Sequence, residues 1–276
     1  MFRINTNVPS LAAQRTLNNV TTEKANTYAK LTSGNRINRS SDDAAGLAIS
    51  EKMKGQMRST AQANRNANDA ISMVQTAEGS LSEISSVLVR LRELSIQSAS
   101  DTVGDTEREF TNLEYQNLKQ EIQRIASVTE FNGKKMLNGT EGDFEFQIGI
   151  NNNADEDRLM FRAETSDASL DNLGIEALTI SQKVDAQDSL EKLDQAMQWV
   201  SGQRANLGAI QNRLISTSNN LAVNLENIST ANSRIRDTDY AQETSNNVRL
   251  SILAQAGTSV LSQANVESQM ALKLLS

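Results

Sequence analysis

The sequence predicts a mainly α-helical fold: an elongated antiparallel bundle of long amphipathic rods that carries a small β-hairpin region. Three observations lead there. Leu193, Val200, Leu207, Leu214, Leu221, Ile228 and Ile235 stand seven residues apart without a gap. An apolar repeat of seven sustained that far belongs to a continuous helix with one adhesive seam. Val74, Leu81 and Leu88 keep the same step, with Ala77, Ile84 and Leu91 interleaved. At Phe144, Phe146, Ile148 and Ile150 the period drops to two, which reads as a half-buried strand.

Each element follows in chain order. Pro9 suits the first turn of a helix, and Leu11, Leu17, Val20, Tyr28 and Leu31 continue it until Gly34. Ser40-Ser41-Asp42-Asp43 precedes an Ala-rich helix. Hydroxyls and carboxylates there cap the helix and complement its dipole, which explains the acid pair without a catalytic dyad. A first rod is expected from near Ala70 to Ser100, where Asp101, Thr102 and Gly104 break it. A second carries Phe110, Leu113, Leu118, Ile122 and Ile125 on its apolar face and stops at Asn132-Gly133 and Asn138-Gly139.

The strand pairs with Leu159-Met160-Phe161 across the polar stretch from Asn151 to Asp157, which places a hairpin near residues 143–163. Residues 164–184 read as irregular connection with at most one short element. The longest rod comes next, its seam roughly 60 Å long at about 1.5 Å per residue. Leu190, Met197, Ile210 and Leu225 widen that seam, while Gly202 and Gly208 weaken it. Val248, Ile252, Ala256, Val260, Ala264 and Met270 give the C-terminal segment a broad apolar face.

Composition excludes much chemistry. Among 276 residues there is no cysteine and no histidine, so disulfide frameworks, zinc fingers and Ser-His-Asp or Cys-His nucleophiles are out. A net charge of −7 argues against a general nucleic-acid binder. No phosphate-binding glycine motif occurs. Asn151 to Asp157 has oxygen atoms enough for calcium, but it lacks the glycine and terminal glutamate of an EF-hand and reads as a solvated turn. Trp199 reads as a half-buried packing residue. No catalytic residue, metal ligand or cofactor is expected. There is no run of 18 apolar residues to span a membrane. Met1 to Asn7 lacks the basic and apolar regions of a secretory signal, which fits a cytoplasmic protein or one exported without a cleaved signal.

Charge is unevenly placed. Glu141 to Glu191 holds thirteen acids against Arg158, Arg162 and Lys183, a local balance of −10, so this segment is expected to face solvent. Both ends are nearly uncharged: only Arg3 and Arg15 before Thr22, and only Glu267 and Lys273 after Leu250. Leu, Ile, Val and Ala mixed with Asn, Gln, Ser and Thr make marginal helices alone. Buried against copies of themselves they would be dry and well packed, the composition of an assembly interface. Arg90-Leu91-Arg92-Glu93-Leu94 reads as a solvated face with local ion pairs, the alternative being a contact site.

Several motifs resemble bacterial flagellins. They are Ile4-Asn5-Thr6-Asn7, the run from Leu31 to Asn38 with Asp42 to Ile49, and Ala67-Asn68-Asp69-Ala70-Ile71-Ser72. Gly208 to Leu214, Asp237 to Ala241 and Gln255 to Leu261 extend the likeness to the far end, so that it covers about 1–140 and 190–276. The resemblance implies that the chain ends pair as an inner coiled coil, about 1–42 with 235–276, around a rod domain of about 43–234. With about 50 residues between the matched halves, the chain looks like a short flagellin without outer domains. The implied function is a subunit that polymerises into the flagellar filament, with terminal helices ordering on assembly.

The residues implied for filament assembly are Ile4, Asn5, Leu11, Leu17, Leu31, Ile252, Val260, Leu261, Met270 and Leu274. Those expected to pack the rods are Val74, Leu81, Leu88, Leu193, Val200, Leu207, Leu214, Leu221, Ile228 and Ile235. Implied partners are further copies of the chain, an export chaperone at the C-terminal end, and hook-junction and filament-cap proteins. Arg90, Leu94 and Gln97 with Glu114 resemble the site by which many flagellins are sensed by a Toll-like receptor, although Val89 stands where a polar residue is common. Export would be through the flagellar type III apparatus, to the exterior. Two other readings compete: a hook-filament junction protein and a cytoplasmic coiled-coil adaptor.

Overall fold

The computed structural model describes residues 6–273, and of residues 267–273 and Glu164 the backbone alone. In chain order the elements are α1 (Val8–Ser33), α2 (Ala44–Ser98), α3 (Asp105–Val128), β1 (Glu130–Phe131), β2 (Lys134–Lys135), β3 (Phe144–Gln147), α4 (Ala154–Asp157), β4 (Arg158–Phe161), a 3-10 turn (Glu164–Ser166), α5 (Lys183–Arg236) and α6 (Tyr240–Lys273). The fold is mainly α, with long helices and two small antiparallel hairpins.

α1 starts and stops where its sequence says. Asn7 Oδ1 accepts the Ser10 N–H at 3.0 Å, Pro9 lies in the first turn, and Gly34 closes the helix at φ 70°. α2 is longer than expected, because the Ala-rich segment and the rod beyond Ala70 are one helix. Ala63, Ala67 and Ala70 are buried and carry the seam back through a stretch too polar to show it. The acid pair divides its work. Asp43 Oδ1 accepts the Gly46 N–H at the start of α2, while Asp42 Oδ2 accepts the N–H groups of Asn38 and Arg39. Those backbone bonds, the one from Arg39 first, hold the Asp42 carboxyl below the usual range.

α3 meets the expectation in its second half, where Ile122 is buried and Leu118 and Ile125 pack against the core, but not in its first. Its buried residues are Arg108, Tyr115, Lys119, Ile122 and Ala126, while Phe110 and Leu113 are 71% and 64% exposed. The cause is where two cations find oxygen atoms. Arg108 donates to the carbonyls of Ser98 and Ser100, both at 2.9 Å, and pairs with Asp105 at 2.7 Å. Lys119 Nζ donates to the carbonyls of Glu176 at 2.6 Å and Leu178 at 2.8 Å, and to Gln116 Oε1 at 3.1 Å. Long apolar stems pack while the heads are satisfied, so an apolar count misjudges this helix.

The two hairpins cover this bundle. Asn132-Gly133 does not simply stop α3; with φ of 52° and 78° it forms the two-residue turn between β1 and β2. Left-handed conformations at both positions are what such a turn requires. β3 and β4 pair as expected, with Phe144 opposite Phe161 and Gln147 opposite Arg158. The alternation ends early, because Ile148 and Gly149 both donate to the Asp157 carbonyl. The polar stretch before β4 contains the turn α4, and Asp157 is buried with Oδ2 accepting the Asn153 N–H at 3.1 Å.

Residues 167–182 run irregularly along α3, and α3 side chains supply the missing backbone partners. Asn112 accepts from the Ile180 N–H, Gln116 donates to the Leu178 carbonyl, and Gln123 accepts from the Leu170 N–H, at 3.0–3.1 Å. Inside, Ile175 and Ile180 are fully buried. This accounting for polar groups is what lets a segment without regular structure be fixed.

The chain forms two compact units, Met1–Met57 with Glu226–Ser276, and Arg58–Leu225. The apolar core is a single cluster within the second unit, from Ala67 on α2 to Leu214 on α5. Val74, Leu81, Leu88, Leu193, Val200, Leu207 and Leu214 are all buried in it, and half-buried Trp199 packs against it. Leu221, Ile228 and Ile235 continue the repeat but are only half-buried.

Tyr115, fully buried in this core, gives a pH prediction. Burial pushes its phenol up to about 12 from 10.0. A pKa raised by folding gives stability that is intact below pH 10 and lost as pH rises toward 12. The two-unit difference corresponds to about 3 kcal/mol. Tyr115→Phe is expected to flatten this part of the alkaline transition and to change little at pH 7, measured by urea unfolding at stepped pH. An unchanged alkaline slope would remove Tyr115 as its source.

Candidate assembly interface

The unit made from the chain ends is built on α1 and α6. Asn7 Nδ2 donates to the Ala264 carbonyl at 2.8 Å, and the Tyr240 hydroxyl donates to the Leu31 carbonyl at 2.6 Å. The first residues of α1 thus meet the late part of α6, and the two helices run antiparallel. The covered positions include Ala13, Leu17, Val20, Lys24, Thr27 and Leu31 along α1, and Leu250, Ala254, Gly257, Leu261 and Ala264 along α6. Alternating steps of three and four make this a two-helix coiled-coil seam. Small residues allow close approach: a Cβ at Gly257 would lie 3.3 Å from Leu17 Cδ1.

That seam differs from the apolar face expected for α6. Val248, Ile252, Ala256, Val260 and Ala264 step by four, and at 3.6 residues per turn such a line drifts around the helix. Ala264 therefore lies against α1, whereas Val248, Ile252 and Val260 point to solvent. Of the residues expected to drive assembly, Leu17, Leu31 and Leu261 are half-buried within the pair, while Leu11, Ile252 and Val260 are exposed. Met270 lies on α6, with its backbone alone described; Ile4, Asn5 and Leu274 lie outside the described residues. Val8, Tyr28 and Leu253 join the exposed set. Their signal in the sequence was apolarity next to no charge, not spacing.

The junctions beside the pair are tied to each other. The Arg36 N–H donates to the Arg236 carbonyl at 2.6 Å and the Thr238 N–H to the Gly34 carbonyl at 3.0 Å, around an antiparallel bridge of Asn35 and Asp237. Arg236 pairs with Glu51 at 2.5 Å, and Ser50 donates to Asn232 at 2.8 Å. α1 and α6 thus leave one braced point side by side. Their outward faces hold large apolar groups, with Ile252 61% exposed, and a shallow furrow on α6 is lined by Ser245, Val248, Arg249, Ile252 and Leu253. Fully burying one such side chain contributes about 1.5–3 kcal/mol. What this surface can do chemically is bind another apolar surface.

The Arg90 cluster is a second surface feature. Arg90 donates to Glu114 Oε1 through Nε at 3.0 Å and Nη2 at 2.8 Å, and to Glu93 at 3.0 Å. These partners, Glu114 first, raise the pKa of the guanidinium. Arg90, Gln97 and Glu114 are exposed, but Leu94 is 1% exposed and belongs to the core. Arg92 pairs with Asp194 of α5 at 2.7 Å. Exposed pairs of this kind add little stability. Among the described residues no cluster of acidic side chains could hold a metal ion, and no helix is long and apolar enough to cross a membrane.

Comparison with known proteins agrees along the chain. Residues 4–142 match the model of the bacterial flagellin N-terminal helical region, and residues 190–275 match that of the C-terminal helical region. A flagellin of Halalkalibacterium halodurans is 41% identical over 272 residues, 99% of each chain. The flagellar filament 33 kDa core protein of Treponema phagedenis is 40% identical over 283 residues, again 99% of each. The crystal structure of Bacillus cereus flagellin superposes with a TM-score of 0.51 at 33% identity, covering 57% of this chain and 88% of that one.

Proposed function

This chain belongs to the bacterial flagellin family and is a structural subunit of a flagellar filament, not an enzyme; we propose that residues 1–42 and 235–276 form its assembly domain and residues 43–234 its rod. One contrast carries the reading. Among the described residues the large apolar cluster lies wholly in the rod, whereas the terminal helices bury only a narrow seam, with Leu250 and Ala264, and leave Leu11, Val248, Ile252 and Val260 in water. Neighbouring copies bury these groups, and the ends become fully ordered as they do so, coupling folding to binding. Ile4, Asn5, Met270 and Leu274 are assigned to assembly by the flagellin resemblance alone. Contacts between unlike patches that do not close generate a helical filament.

The remaining partners follow from the family. Before export, without a cleaved signal and through the type III apparatus, a chaperone holds the C-terminal end, whose helix is apolar and nearly uncharged. Hook-junction and cap proteins meet the filament's ends through the same terminal helices. Arg90, Gln97 and Glu114 offer a Toll-like receptor an exposed, ion-paired surface that Leu94 supports from beneath.

Electron microscopy of the purified chain with a salting-out precipitant and short filament seeds tests the reading. Long helical filaments are expected. Short rings or capped stubs would turn the assignment to a hook-filament junction protein, and discrete particles at every concentration to a coiled-coil adaptor.

A further inference from the structure

The sequence holds two Asn-Gly pairs, Asn132-Gly133 and Asn138-Gly139. At such a pair a chain can modify itself, because glycine lacks the side chain that keeps a backbone nitrogen away from the preceding amide. The fold treats the two pairs differently. Asn132 and Gly133 are the exposed tip of the β1–β2 hairpin, where a Cβ at Gly133 would meet open space. Among the described residues no hydrogen bond engages the Asn132 amide or the Gly133 N–H. The hairpin's base is fixed, since the Met136 N–H donates to the Thr129 carbonyl at 3.2 Å and Lys135 pairs with Glu130 at 3.0 Å. Its tip is held only by strands of two residues each, so it opens at little cost. Asn138 is held on every side. Its Oδ1 accepts the Thr140 N–H at 3.2 Å and the Thr140 hydroxyl at 2.8 Å. Leu137 before it is fully buried, with its carbonyl accepting the Ala168 N–H at 2.9 Å. Gly139 after it lies against Asp167, whose Oδ2 would be 2.9 Å from a Cβ there.

We infer that Asn132 is a self-modification site, which deamidates in the folded chain while Asn138 is spared. The Gly133 backbone nitrogen loses its proton to solvent and attacks Asn132 Cγ. An N–C bond forms and closes a cyclic imide, the Cγ–Nδ2 bond breaks, and Nδ2 takes up a proton and leaves as ammonia. One water then adds to either imide carbonyl, which gives aspartate or isoaspartate. Two requirements set the rate: the backbone must rotate, and negative charge must develop on the glycine nitrogen. At the hairpin tip rotation is free, and Lys134 and Lys135 follow directly to favour that charge. At Gly139 rotation is blocked, and the Asp167 carboxylate opposes the charge. The product matters to the fold. Isoaspartate routes the main chain through the side-chain carbon and lengthens it, which a two-residue turn of left-handed positions cannot carry. The β1–β2 pairing is therefore lost as the chain ages.

Trypsin separates the two sites, because Arg124 and Lys134 bracket Asn132 while Lys135 and Arg158 bracket Asn138. The purified chain is held at mildly alkaline pH, either folded or in guanidinium chloride, and sampled over weeks. Mass spectrometry follows the change of amide to carboxyl in each peptide, and chromatography divides isoaspartate from aspartate. In denaturant both sites are expected to convert at comparable rates, since the shared Asn-Gly sequence is then all that acts. In the folded chain Asn132 is expected to convert roughly tenfold faster than Asn138, with isoaspartate among its products. Equal rates in the folded chain would show that the fold does not choose between the two. An Asn132 that stays intact when folded, yet converts in denaturant, would show that the turn shields it. Either result overturns the inference.

Discussion

A chain lacking residues 1–42 is expected to keep its rod folded and to form no filament. The deletion removes none of the core, since every member of that cluster lies between Ala67 and Leu214. It does remove the partner of α6. Leu250, Leu261 and Ala264 would lose the Leu17, Val20 and Thr27 stripe they lie against. A helix with β-branched, Asn and Ser residues and few ion pairs has little stability of its own. The loss of helical circular dichroism should therefore exceed the 26 residues of α1 and include much of α6. The urea transition of the core should keep its midpoint. Seeded electron microscopy then reads the function: particles without filaments are expected, and normal filaments from this chain would show that the terminal pair is not what drives assembly.

The features legible in the sequence were those where one physical requirement acts alone. Seven-residue seams through Leu81 and Leu193 could be read because burial on one helix side is all they answer to. Gly34 could be read because the backbone turns left-handed there, at φ 70°. The Phe144 strand and its partner Phe161 follow from alternation. Other features depended on groups distant in the chain. α3 takes its rotation from carbonyls at 98, 100, 176 and 178, which no local period announces. The ordering of residues 167–182 likewise rests on Asn112, Gln116 and Gln123, three polar side chains that look like a solvated face. Asn132-Gly133 carried a hairpin signal, but its place after a helix made it read as a stop. At the assembly surface composition was the better guide. The missing charge marked both ends, while the step-of-four pattern on α6 placed Ala264 among outward residues when it faces α1.

Leu193→Ala and Ile228→Ala should separate two uses of one uninterrupted repeat. Both positions sit in the same seven-residue series on α5, and nothing in the series tells them apart. Leu193 is fully buried in the core cluster. Removing three carbons there leaves a cavity, and the expected loss is about 3 kcal/mol of monomer stability. Ile228 is half-buried and lies in the unit of the chain ends, beyond the core. The same truncation should cost the isolated chain about 1 kcal/mol or less, and the core's urea transition should not move. In filaments the order should reverse in relative terms, with Ile228→Ala raising the critical concentration because copies complete the burial that the single chain leaves partial. Equal losses in the monomer would mean that the repeat is buried evenly along α5. Unchanged polymerisation of Ile228→Ala would mean that the seam beyond Leu214 persists for the helix itself and not for its neighbours.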